Sequence, residues 1–273
     1  MLAWDENLYH QCSEGMFRKY VEKKVSKQEL EKTFFDFVSH AKSLYDESLR
    51  VDFSKAGEET VLLFFKRAAT ALEMVAGTVY IEALNYDMAL GVIGQGNKLM
   101  LDAIWEQATH PTFISFEGRW LAHLIALVKE TDDTSPIVPK ARYIYTNYYW
   151  TKSDSEIQSA LEEIKTHLTK KEGGLELMYK KVEILKSAHE KWLASLAPEE
   201  RFITEYIQMI MLFRDIRKDP IAQLQAILVM VASELLKRAG IDVKYGPVVT
   251  VPECAQGIEY LKSIKDELIK RAG

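Results

Sequence analysis

The chain has 273 residues, of which 48% are hydrophobic and 27% charged, and its formal net charge is −5. This composition is typical of a globular protein with one large domain or two smaller ones. Glycine and proline are scarce, at 13 and 7 residues, which argues against β-sandwiches and barrels. The negative charge argues against a nucleic-acid partner, because binding phosphate backbones requires a basic surface.

Cysteine usage and apolar runs give an expectation about location. Cys12 and Cys254 are far apart and lack Cys-x-x-Cys spacing, which favours buried thiols in a reducing compartment over a disulfide. Charged residues begin at Asp5, so the N-terminus lacks the apolar core of a signal peptide. The longest apolar runs, 61–65 and 226–232, are far shorter than the roughly 20 residues of a membrane span. The sequence therefore predicts a cytoplasmic protein with no membrane partner.

The first half reads as a series of amphipathic helices. Ser26 and Glu29 form a capping-box pattern, and apolar residues then recur at three- and four-residue spacing to about Arg50. Similar patterns predict helices over 57–77, 79–90, 97–108 and 115–129.

The clearest interruption follows at residues 131–140, which are rich in threonine, aspartate, serine and proline. We expect this segment to be a linker between an N-terminal helical half, 1–130, and a C-terminal helical half, 141–273.

The second half opens with a cluster of aromatic residues, which are Tyr143, Tyr145, Tyr148, Tyr149 and Trp150. Ser153 and Glu156 form another capping box, and the polar helix that it opens is expected to end before Gly173-Gly174. A helix over 175–196 is then predicted, and Pro198 fits the first position of the next one.

The most apolar helix is predicted over 199–219, and Pro220 should interrupt it because proline lacks a backbone donor. A further helix over 223–238 should end at Gly240. Residues 248–251 form the one short β-like run, and Thr250 with Glu253 marks the start of a last helix. Together these patterns predict an all-α fold, a multi-helix bundle with two packed helical halves.

The histidines do not show the spacing of a helical-bundle metal site. Such sites use Glu-x-x-His, which places both ligands on one helix face, and none of the six histidines has a glutamate three positions before it. The glycine-rich stretch 91–98 lacks the spacing of a phosphate-binding loop. We therefore predict no metal site and no cofactor.

The strongest candidate site is the charge cluster Arg214, Asp215, Arg217 and Lys218. Its three basic residues are spaced i, i+3 and i+4, so they share one helix face and repel each other unless an anion is near. In one interpretation Asp215 and Asp219 supply that anion, and the cluster is an ion-pair network at a helix kink. In the other, the basic residues bind a phosphate or a carboxylate of a neighbouring domain.

Four segments follow one another in an order that resembles a known family. They are Tyr148–Trp150, Leu212–Lys218, Ser233–Gly240 and Thr250–Glu253. Over residues 140–271 this succession resembles the helical region of phosphoenolpyruvate-utilising proteins of the phosphoenolpyruvate synthase and pyruvate phosphate dikinase group. In that group the region lies between an ATP-grasp domain and a swivelling domain that carries a phosphohistidine.

The resemblance implies a non-catalytic scaffold or coupling module of such a phosphotransfer system, with the ATP-grasp or swivelling domain as its protein partner. The nucleotide-binding domain and the phosphohistidine segment are missing, so no catalytic residue is carried over. Any ATP-dependent phosphotransferase activity would belong to the larger assembly.

Two alternatives stay open. The first is a free-standing helical protein-interaction adaptor, which an apolar exposed surface would favour. The second is a small all-helical enzyme with a site near 143–150, His123 and the Arg214 cluster, which a deep pocket would favour.

Overall fold

The computed structural model describes residues 6–78, 83–146 and 151–272. Over these residues it contains fourteen α-helices, four short 3-10 helices and no β-strand, so the predicted all-α, multi-helix class is confirmed. The first seven helices are α1 Glu6–Val21, α2 Lys27–Ser48, α3 Glu58–Gly77, α4 Tyr86–Ile93, α5 Lys98–Thr109, α6 Phe116–Lys129 and α7 Val138–Ala141. The others are α8 Asp154–Thr166, α9 Leu168–Ser195, α10 Pro198–Ile216, α11 Lys218–Arg238, α12 Val251–Cys254, α13 Ile258–Ser263 and α14 Lys265–Ala272.

Helix ends follow the local signals in the sequence. Capping boxes are present at Ser26, Ser153 and Thr250, each satisfying amide groups that the first helical turn leaves unpaired. Gly240 ends α11 with φ +68°, and the Ile241 amide donates to the Leu236 carbonyl at 2.9 Å. This is the geometry of a Schellman motif, which favours glycine.

Several local predictions are wrong. Gly173-Gly174 does not break the chain, because α9 runs unbroken across both residues. Residues 248–251 form no strand and instead join a 3-10 turn to α12. Helix α1 had no counterpart in the sequence interpretation. Part of the helix predicted over 79–90 lies outside the described residues, and the structure places α4 at Tyr86–Ile93.

The main core joins both ends of the chain. Its first cluster combines α2 and α3 with α11, α13 and α14, and its fully or almost fully buried members include Leu44, Phe65, Leu224, Val231, Leu235 and Leu261. A second cluster joins α1, α2, α4 and α5 to α10. There the rings of Phe34 and Phe213 stack with centroids 3.9 Å apart.

A third, smaller cluster packs α6 against α7 and α8. It includes Ile137 and Val138, which lie inside the segment predicted to be a linker. Part of that segment is helical, and Tyr45 of α2 donates a hydrogen bond to the Pro139 carbonyl at 2.9 Å. The division into halves at 131–140 stays a prediction, but side-chain packing crosses it.

Helices α10 and α11 together form one stretch, Pro198–Arg238, that is long and apolar enough to cross a membrane by length and composition. Of its 18 most apolar consecutive residues, 56% are buried inside the fold. The central helix of a soluble protein can have the same length and composition.

Candidate functional site

The predicted charge cluster lies where α10 gives way to α11. Helix α10 ends at Ile216, Arg217 occupies the junction, and α11 begins at Lys218. Pro220 falls in the first turn of α11, where an amide has no helical partner in any case. The predicted interruption is therefore present, but it falls at Arg217, three residues before the proline.

The two aspartates of the junction are held by an arginine from another helix. Arg119 of α6 donates from Nη1 to Asp215 Oδ2 at 2.6 Å and from Nη2 and Nε to Asp219 Oδ2 at 2.9 and 3.0 Å. It also donates to the carbonyls of Ile114 and Asp215. The Arg119 side chain is 29% exposed. Burial opposes its charge, but the two carboxylates outweigh that effect and raise the pKa of Arg119.

Two more contacts complete this junction. Trp120 donates its indole N–H to the second oxygen of Asp219. Lys218 places Nζ 3.8 Å from the centre of the Phe116 ring and 3.7 Å from Asp215 Oδ1. Both carboxylates therefore face inward and tie α6 to the α10–α11 junction.

Of the predicted site residues, Arg214 and Lys218 are exposed, whereas Asp215 and Arg217 are partly buried. The sequence interpretation missed Arg119, because it stands about a hundred positions from its partners. One signal was available: Arg119 is the only charged residue between Glu117 and Lys129 on an otherwise mostly apolar helix, where an arginine requires a carboxylate.

Of the residues proposed for an enzyme site, Tyr143 packs in the core and His123 lies against it. Tyr143 is buried, with ring centroids 5.4 Å from Tyr45, 6.2 Å from Trp120 and 5.8 Å from His123. Burial lowers the pKa of His123 and raises the pKa of Tyr143. Tyr145 packs against the third cluster, while residues 148–150 lie outside the described part of the chain.

Helix α9 is the unusual element of the described surface. It has 28 residues, and none of them is buried. Five of the twelve exposed large hydrophobic residues in the described chain lie on it, and the most exposed of these five are Ile184 at 70% and Leu177 at 68%. Soluble helices normally turn such residues to the core, so this helix presents an unpartnered apolar surface.

Both ends of α9 pack against the rest of the protein. Leu168 and Leu175 pack on the third cluster, and Trp192 packs on the second. Glu172 forms an ion pair with Lys129 of α6. A Cβ on Gly118 of α6 would lie 2.9 Å from Met178 Cε, so glycine at that position allows α6 and α9 to approach closely.

Apolar and basic residues share one side of α9. Positions 170, 177, 181, 184, 188 and 191 are three, four or seven residues apart and therefore form one stripe. We define the α9 face as this stripe with its two neighbours, so that it consists of Lys170, Leu177, Met178, Lys181, Ile184, Leu185, Ala188 and Lys191. Its three lysines make no ion pair with any residue that the structure describes.

The glutamates of α9 lie on another side of the helix. They are Glu172, Glu176, Glu183 and Glu190, spaced four and seven residues apart. Glu183 follows Lys181 by two positions, which places it about 200° round the helix axis. The α9 face therefore carries three lysines and no carboxylate, whereas the other three lysines of α9, Lys171, Lys180 and Lys186, lie outside it.

A hollow of 440 Å³ adjoins the α9 face between α6, α8 and α9. It is lined by Leu121, Glu163, His167, Lys170, Lys171, Gly174 and Met178. A second hollow lies elsewhere, beside His40 and Arg67. Neither is lined by the residues of the charge cluster or by Tyr143 and His123.

No protein-family model, curated protein or solved structure matches this chain. Within the described ranges, no three histidine, cysteine, aspartate or glutamate side chains stand close enough to hold a metal ion.

Proposed function

We propose that this chain is a non-catalytic helical interaction module that docks a protein segment on the α9 face. One observation carries the proposal: Leu177 and Ile184, seven residues apart on a helix with no buried residue, are about two-thirds exposed. Contiguous exposed apolar side chains rimmed by polar ones mark interaction sites. Anchors at i and i+7 are the spacing with which helices recognise helices.

The enzyme alternative has less support. Its site required a pocket that brings together His123, Tyr143 and the Arg214 cluster. Tyr143 is buried against other aromatic rings, and the cluster's aspartates are engaged by Arg119. These groups stabilise the contact between α6 and the α10–α11 junction.

The phosphotransfer scaffold is a narrower form of the same proposal, with an ATP-grasp or swivelling phosphohistidine domain as the docked partner. It rests on the resemblance of residues 140–271. Arg214 and Lys218 are exposed, so they are the members of the charge cluster that a partner's phosphate or carboxylate could reach.

Site-specific photocrosslinking tests the docking function. Ile184 is replaced by the photoreactive residue p-benzoylphenylalanine in the native cell, and Leu99 of α5, an exposed apolar residue on a different helix, serves as the matched control. We expect a discrete protein adduct at position 184 that is absent at position 99. Leu177→Asp in the same chain should abolish it, since it places a charge among the apolar anchors.

Equal adduct yields at both positions would contradict the proposal, as would an adduct that survives Leu177→Asp. Leu177 is exposed, so this substitution leaves the fold intact, which circular dichroism checks.

A further inference from the structure

We infer that the occupant of the α9 face is an acidic amphipathic helix, an inference that rests on the proposed docking function. The first argument is charge. Lys170, Lys181 and Lys191 rise from the same stripe as the apolar anchors and have no ion-pair partner in the described part of the chain. A partner that covers Leu177 and Ile184 must therefore meet these lysines, and carboxylates at its flanks satisfy them.

The pairing of charges on α9 strengthens this argument. Glu172 is paired with Lys129, and Glu176 with Lys180 at 2.8 Å. The acidic side of the helix is thus partly neutralised by the protein itself, whereas the lysines of the α9 face are not. The α9 face thus carries three positive charges and no negative one, although the whole chain carries −5.

A second copy of this chain fits the surface less well. The midpoint of the anchors Leu177 and Ile184 falls beside Lys181. Antiparallel pairing of two α9 faces about that midpoint sets Lys181 of one copy against Lys181 of the other, and like charges across an interface are unfavourable.

The spacing of the anchors fits one helix. Leu177 and Ile184 lie about 10 Å apart along the axis, two helical turns, which matches anchors at i and i+7 on a partner. Toward the start of α9 the surface continues into the hollow, where Leu121 and Met178 provide an apolar wall. The polar residues that line the same space are Glu163, His167, Lys170 and Lys171. The two lysines can bind further carboxylates of the partner.

Defined peptides test the inference on the full chain. Three helical peptides share the same leucine positions and carry glutamate, glutamine or lysine at the flanking positions. Fluorescence anisotropy should rank their affinities glutamate above glutamine above lysine. The affinity of the glutamate peptide should fall as salt is added, because exposed charge pairs are screened.

A matched pair of variants assigns the effect to the α9 face. Lys181→Glu should lower the affinity for the glutamate peptide about fivefold or more and raise the affinity for the lysine peptide. Lys186→Glu is the control, since Lys186 is an exposed lysine of the same helix but lies about 140° round the axis from Lys181. It should leave both affinities unchanged within about twofold.

The outcomes separate the two proposals. Equal binding of the glutamate and glutamine peptides overturns the acidic partner while leaving docking intact. Failure of all three peptides overturns the helical occupant, and crosslinking at position 184 then decides whether docking itself stands. Dimerisation that Ile184→Glu abolishes would assign the face to a second copy. Binding to phosphatidylglycerol vesicles, without peptide binding, would assign it to a membrane surface.

Discussion

At the scale of single residues, the contribution of an arginine–carboxylate ion pair to stability depends on how far the pair is buried. Arg119 bonds two aspartates in a partly buried site, where Asp215 is only 12% exposed. Arg67 makes a two-pronged bond to Glu47 at 2.9 and 2.7 Å, but both side chains are well exposed. Water screens the second pair and replaces it when it breaks. Among the residues that the structure describes, loss of Arg119 instead leaves Asp215 with only the more distant Lys218 and Asp219 with only the Trp120 indole.

This contrast gives the first stability prediction. Arg119→Met should lower the free energy of unfolding by about 2–3 kcal/mol, because partly buried charges lose their partner. Arg67→Met, the matched control, should cost less than about 1 kcal/mol. Urea unfolding of both variants measures the difference, and equal losses would show that the Arg119 network is no more than a surface ion pair.

At the scale of elements, α9 is the helix whose sequence and structure disagree most. Gly173 and Gly174 are typical of a break, yet the helix continues across them. Both glycines are exposed, and a Cβ on either would meet no atom within 4 Å. The helix is continuous because its ends are anchored on two core clusters, and that tertiary contact outweighs local propensity.

Alanine at these glycines tests the continuity of α9. Replacing both, Gly173→Ala with Gly174→Ala, should stabilise the protein by about 1–2 kcal/mol, since glycine in a helix interior is about 1 kcal/mol less favourable than alanine. Gly240→Ala should instead destabilise the protein, because φ is +68° there and alanine is strained in that conformation. Thermal unfolding reports both. Destabilisation by the double substitution would mean that the chain does bend at this point.

The elements also show what the sequence can and cannot predict. Caps at Ser26, Ser153 and Thr250 depend on residues three positions apart, so they were predictable. The link from Arg119 to Asp215 and Asp219 depends on folding that joins distant segments, so a local pattern can indicate that Arg119 needs a carboxylate but not which one. The α9 face was also missed, because exposed apolar residues at helical spacing have the same sequence pattern as buried ones.

At the scale of the whole molecule, the core is shared between the two predicted halves. The first cluster sets Leu44 and Phe65 from before the 131–140 segment against Val231 and Leu261 from after it. The second cluster does the same with Phe34 and Phe213. Segments that are distant in the chain are therefore packed together in the core, and α9 is attached to this core at both of its ends.

Separating the halves tests this shared core. Residues 1–130 and 131–273, produced as two chains, should each lack a cooperative unfolding transition, and mixing them should restore it. The reason is quantitative. Burying one Leu, Ile, Val or Phe side chain contributes about 1.5–3 kcal/mol, so exposing Leu44, Phe65, Val231 and Leu261 alone removes a free energy comparable to the roughly 5–15 kcal/mol that stabilises a typical domain. Circular dichroism during urea titration measures the transition, with the uncut chain as control.

A C-terminal half that unfolds cooperatively at the midpoint of the uncut chain would instead establish the predicted division at 131–140 as a true domain boundary.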